Sequence, residues 1–84
     1  MKDFFVSYLV KGGTGDYVAF GTVKVTTETP HRARAEFERQ LSRIQEQLPP
    51  GYRDPSFILE PQIVYDDPKR IRGSRLPVLG RIDL

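Results

Sequence analysis

Apolar positions concentrate in two stretches near the start of the chain. Residues 4–10 are rich in aromatic and β-branched side chains and meet the turn-forming run Lys11-Gly12-Gly13-Thr14-Gly15-Asp16, after which residues 17–27 are again β-branched and aromatic. The pattern predicts a β-hairpin. Val23 and Val25 alternate with Thr22, Lys24 and Thr26, which gives that stretch one buried and one wet face. Phe20 then falls on the wet face unless Gly21 marks a bulge that resets the alternation.

From Thr29 the period changes. Thr can cap the free backbone donors of a helix, and the fixed φ and missing N–H of Pro30 suit the first helical position. Ala33, Phe37, Leu41, Ile44 and Leu48 recur at helical spacing, so one continuous helix with all five on its buried stripe is predicted, stopping at Pro49-Pro50-Gly51. Arg32, Glu36, Arg39, Arg43 and Glu46 form a charged stripe on the opposite side, where Arg32 with Glu36 or Arg34 with Glu38 can pair. Residues 56–65 carry Phe57, Leu59, Ile63 and Tyr65 around Glu60 and Gln62, with Pro61 interrupting the ladder. An edge strand or a bulged strand is expected there.

The predicted fold class is therefore α+β, a ββαβ antiparallel-type sheet with one helix on one face. Residues 1–67 form this domain, and residues 68–84 form a basic C-terminal tail. One helix covers one face, yet both parities of the first strand are apolar, with Phe4, Val6, Tyr8 and Val10 against Phe5 and Leu9. Either the tail folds back over the surplus through Leu76, Val78, Leu79 and Ile82, or that face makes a homodimer or partner surface.

Composition narrows the function classes. Eighty-four residues fit one domain, in which a deep, walled active site is hard to build. The apolar fraction of 38% with charged residues at 29% suits a folded domain rather than a disordered one. The chain has no Cys, which excludes thiol chemistry and makes the reducing cytosol the expected compartment. No signal peptide is expected from the interrupted N-terminal apolar run, and no segment reaches the roughly 20 apolar residues of a membrane-spanning helix.

No cofactor, metal or catalytic constellation emerges. The run Gly12-Gly13-Thr14-Gly15 joins two strands rather than a strand to a helix and lacks a Gly-Lys-Ser/Thr ending, so it reads as a turn and not a phosphate loop. His31, the single histidine, lies in the first helical turn beside Arg32 and Arg34 with no orienting carboxylate. Asp66-Asp67 lacks further oxygen ligands at suitable spacing, and no base stands at a recognisable offset from any serine. An enzyme is the least favoured class.

Charge distribution points elsewhere. Residues 1–65 hold eight basic and eight acidic residues, so the net +2 lies wholly in residues 66–84. Lys69, Arg70, Arg72 and Arg75 place four cations in seven residues with no acid among them, a run that can meet an acidic protein surface or nucleic-acid phosphates, or simply be solvated. Tyr8, Tyr17 and Phe20 could form a stacking platform on the open sheet face, although core roles fit them as well. Arg32, Arg39 and Arg43 are a second candidate contact, which interleaved Glu36 and Glu46 make more suitable for a mixed-charge protein interface than for phosphate.

The run Phe5-Val6-Ser7-Tyr8, a Gly-rich turn, Phe20-Gly21-Thr22-Val23-Lys24-Val25-Thr26-Thr27, the Pro-started helix and the strand around Ile58-Leu59 together resemble small ββαβ accessory proteins of bacteriophages and other bacterial mobile elements. The resemblance covers residues 1 to about 65, and the basic tail departs from the shorter members. It implies a stoichiometric inhibitor or adaptor, of anti-CRISPR or other host-takeover type, that occupies a surface of a host protein complex in the bacterial cytoplasm. It transfers no functional residue. The expected contact residues are thus Lys69, Arg70, Arg72, Arg75, Arg32, Arg39, Arg43 and Phe20. The alternatives are a nucleic-acid-binding module that uses the tail, and a homodimeric assembly protein.

Overall fold

The computed structural model describes residues 1–71 and 75–84. Strand β1 (Lys2–Lys11) and strand β2 (Tyr17–Thr27) form the hairpin, and helices α1 (Pro30–Arg39) and α2 (Leu41–Glu46) follow. Strand β3 (Ile58–Tyr65) and a two-residue strand β4 (Ile82–Asp83) complete a four-stranded sheet in the order β3-β1-β2-β4. The class is α+β with the helices on one face.

The hairpin closes through a tight turn in which the Gly12 N–H donates to Asp16 and the Gly15 N–H to Gly12, and Gly15 has φ of 92°, a conformation that favours glycine. Register between β1 and β2 runs unbroken from Lys2↔Thr27 to Val10↔Ala19, so Gly21 marks no bulge and Phe20 stays on the outer face opposite Leu9. Gly21 has another reason to be small. It faces Tyr8, whose ring lies directly against the glycine.

The inner face is built by Phe4, Val6, Tyr8 and Val10 of β1 with Ala19, Val23 and Val25 of β2, closed by Ala33, Phe37, Ile44 and Leu48 from the helical side. Tyr8 and Phe37 pack ring against ring at 5.7 Å between centroids. Helix α1 starts where the sequence indicates, with the Thr29 hydroxyl accepting from the Arg32 N–H at 3.1 Å. The single continuous helix does not form. Gln40, at φ −107° and ψ 24°, ends α1 before Leu41 opens α2, and Leu41 is exposed rather than part of the buried stripe. Ile44 and Leu48 remain in the core, while Leu41, at the margin of the stripe, lies outside it.

Strand β3 is both an edge strand and a bulged one, its register shifting between Val6 and Tyr8. The Ser7 hydroxyl fills the irregularity by donating to the Ile63 carbonyl at 3.1 Å and accepting from the Ile63 N–H at 3.2 Å. The ladder is interrupted next to Pro61, between Pro61 and Val64, while Pro61 itself still faces Tyr8. Phe20 uses its backbone N–H and carbonyl on Pro77 and Leu79, so antiparallel alternation makes Leu9–Phe20 a non-bonded pair and Tyr8–Gly21 a bonded one. On the other flank of β1 the order reverses. Tyr8 faces Pro61 as a non-bonded pair, and the direction in which proline has no N–H points away from the sheet.

The C-terminal segment returns to the sheet, and Phe5 and Ser7 of the outer face are buried. It joins the sheet edge beside β2, in parallel, through Phe20↔Val78, Val23↔Ile82 and Lys24↔Asp83. Leu79 and Ile82 therefore enter the core, while Val78 shares the outer side with Phe20 and is 64% exposed. Phe5, whose side chain points outward, is nonetheless buried, with the Arg81 guanidinium 5.8 Å from its ring centre. The chain thus leaves the sheet at one edge and rejoins it at the other, and right-handed crossover places that return opposite the helices.

Candidate interaction surfaces

The helix arginines are engaged locally. Arg39 makes two charged hydrogen bonds to Glu36, from Nε at 3.0 Å and from Nη2 at 2.7 Å, and the Gln40 amide adds a third to the same carboxylate. These donors hold the Glu36 carboxyl below its ordinary range, Arg39 being the larger cause. Arg34 pairs with Glu38 at 3.8 Å as the spacing predicts, whereas Arg32 turns back to Glu28 at 3.8 Å because Glu36 is taken. Arg43 reaches the Gln40 side-chain oxygen at 3.4 Å. This face is a set of exposed local pairs, each contributing little to stability.

The tail is different. Asp67 caps the turn Pro68–Arg70 by accepting from the Lys69 N–H at 2.9 Å, which fixes the backbone there but leaves the Lys69 ammonium exposed. Asp66 is bound by Lys2 at 3.3 Å, and that hydrogen bond holds its carboxyl below the usual range, with a smaller contribution from Arg70. Among the described residues neither Lys69 nor Arg75 makes an ion pair. Arg72 lies outside the described residues. Arg75 stands three positions before Val78, which bridges Phe20 at the β2 edge.

The stacking platform is not assembled. Tyr8 is wholly buried in the core, and its hydroxyl has no hydrogen-bond partner among the described residues. Burial raises its pKa from 10.0 to about 12. Tyr17 is exposed, but its hydroxyl donates to Glu60 at 2.7 Å, and that contact raises the phenol's pKa. Lys11 sits 3.9 Å from the same carboxylate and 5.9 Å from the Tyr17 ring centre. A carboxylate in the middle of this group repels a phosphate backbone.

One feature escapes the sequence pattern. Leu41, Gln45, Phe57, Ile58 and Leu59 line an open groove of about 200 Å³ beside the free edge of β3, where Ile58 is 56% and Ile63 54% exposed. A cleft of about 440 Å³ between α1 and the end of β2 is lined in part by Arg32 and Glu36, whose charges are already paired. His31 is exposed, and among the described residues no three side chains converge to hold a metal ion. No helix of the described chain is long and apolar enough to cross a membrane. Comparison with protein-family models, with curated proteins and with solved structures finds no match for this chain.

Proposed function

We propose that this chain is a non-enzymatic binding protein that occupies an acidic surface of another protein through its C-terminal segment and the adjoining outer face. The observation that carries this reading is the contrast between the two cation groups. Arg32 and Arg39 are ion-paired to Glu28 and Glu36, whereas Lys69 and Arg75 are exposed without an ion pair among the described residues, and Val78, three positions after Arg75 in the chain, is exposed beside Phe20. A segment that carries unpaired cations and an exposed apolar residue suits an acidic partner surface with an apolar spot of its own.

In its most specific form the reading is that of a phage or mobile-element inhibitor or adaptor acting on a bacterial complex, which the strand and turn pattern of residues 1–65 suggests. The test is affinity purification of the tagged protein from bacterial lysate, with and without nuclease, beside the variant Lys69→Glu/Arg75→Glu. A defined protein retained after nuclease by the parent and lost by the variant is the expected result. Retention that collapses with nuclease would make the tail a nucleic-acid contact instead.

A further inference from the structure

We infer that the free edge of β4, with the cleft beside it, takes an extended acidic segment of a partner protein as an added strand, an inference that rests on the binding role proposed above. Strand β4 closes the order β3-β1-β2-β4, so its other flank meets no strand. Phe20 bonds to the Pro77 carbonyl and the Leu79 N–H, on either side of its cross-strand partner Val78. The Leu84 N–H bonds in the same way to Lys24, whose partner is Asp83. In a parallel pair the residue next to such bonds turns its own backbone groups the other way. The N–H and C=O of Val78 and Asp83 therefore point outward, where an extended peptide can take them up.

Space is open on this side. A cleft of about 290 Å³ lies between the residues that follow α2, among them Leu48 and Arg53, and the stretch Gly80 to Ile82. A side-chain carbon at Gly80 would meet nothing, so no side chain obstructs a backbone approaching the middle of the edge. The pairing with β2 slips by one residue between Phe20↔Val78 and Val23↔Ile82. Val78 and Asp83 are thus two separate anchors and not the ends of an unbroken ladder.

The charges at this edge select the occupant. The cleft is lined by Arg53 and Arg81 and by no carboxylate. Arg81 is already paired with Asp83 at 3.1 Å, and Lys24 reaches the same residue at 3.8 Å. Arg53 is not spent in this way. Its Nε donates to the Leu48 carbonyl, which fixes the guanidinium at the cleft, and among the described residues it makes no ion pair. Arg75, shortly before Val78, is the other unpaired cation. A second copy of this chain brings the same cations to the contact, and a neutral strand leaves them without counter-charge. A strand of alternating acidic and apolar residues answers both needs, with one row of carboxylates toward Arg53 and the apolar row on the side of Val78.

The probe is an acetylated, amidated peptide of alternating Glu and Val, about six residues long, titrated into the full chain and followed by amide NMR. The expected result is saturable binding with Kd below about 1 mM and shifts centred on the Val78 and Asp83 amides. Arg53→Glu should weaken it about tenfold. So should Val78→Pro, which removes an outward N–H and no bond to Phe20, with thermal melts confirming that both variants fold. The same peptide with Lys in place of Glu should not bind. No binding, equal binding of the Lys peptide, shifts confined to β3, or indifference to both variants would each overturn the inference. Binding lost in Lys69→Glu/Arg75→Glu but unchanged in Arg53→Glu and Val78→Pro also overturns it, and leaves the tail as a contact. Failure of lysate capture alone, with this titration intact, removes the proposed role and leaves the edge site, so the two readings fail separately.

Discussion

The Tyr8 ring lies across Gly21, its cross-strand partner, so closely that a side-chain carbon at position 21 would overlap the phenol. Tyr8 is fully buried between this glycine and Phe37 and has little room to retreat. Gly21→Ala should therefore destabilise the fold by about 3 kcal/mol, as overpacking in a tight core does. Urea denaturation would show this as a lower midpoint with little change in slope.

The same tyrosine buries a hydroxyl that has no partner among the described residues. Removing a buried, unsatisfied polar group relieves a desolvation penalty, so Tyr8→Phe should raise stability by about 1 kcal/mol. It should also change the pH dependence. A phenol pKa raised from 10.0 to about 12 in the fold favours the folded state fully below pH 10, and that contribution is lost as pH rises through 10 toward 12. Denaturation profiles across that window should fall more steeply in the parent than in Tyr8→Phe.

Residues 1–67 are not expected to fold alone. Leu79 and Ile82 belong to the core, and the segment that carries them satisfies the β2 edge through Phe20 and Lys24. Deleting residues 68–84 should give a chain without cooperative thermal unfolding by circular dichroism. Ile82→Ala in the full chain should cost about 3 kcal/mol.

Arg32→Ala and Arg39→Ala should each alter stability by no more than about 0.5 kcal/mol, because both ion pairs are exposed to solvent. Neither should affect capture of the protein partner, in contrast to Lys69→Glu/Arg75→Glu. Thr29→Ala, which removes the cap on α1, should cost about 1 kcal/mol. Thermal melts of the three single variants provide the comparison.

Pro61→Val restores an outward-facing donor at the centre of the β3 edge without disturbing the bonds to β1. The edge should then pair with its own kind, and light scattering should show greater association than in the parent.

Much of this architecture is legible in the sequence because its signals are local. The alternation around Val23 and Val25, the glycines of the turn and the Thr29-Pro30 start each act within a few residues, and the structure places β1, β2 and α1 accordingly. Leu41 was misplaced because a helical period assumes an unbroken helix, and nothing in Glu38-Arg39-Gln40-Leu41 announces the break at Gln40. The β4 pairing was out of reach for a different reason. A two-residue parallel strand has no alternation to detect, and its partner β2 lies near the other end of the chain. The outward orientation of the Pro61 nitrogen depends on hydrogen bonds made two strands away, at Phe20, which the local sequence does not show.

Among the candidate contacts, the charge run at Lys69–Arg75 was visible as composition, but the distinction between its unpaired cations and the spent arginines of α1 was not. Arg32 chose Glu28 because Arg39 and Gln40 had already taken Glu36, a competition set by rotamers and not by spacing.

The parallel placement of β4 bears on how the chain is made. During vectorial synthesis β2 is complete long before residues 77–84 emerge, so one of its edges stays open with Phe20 and Lys24 offering unpaired backbone groups. A nascent chain in that interval presents the kind of edge that pairs with other strands.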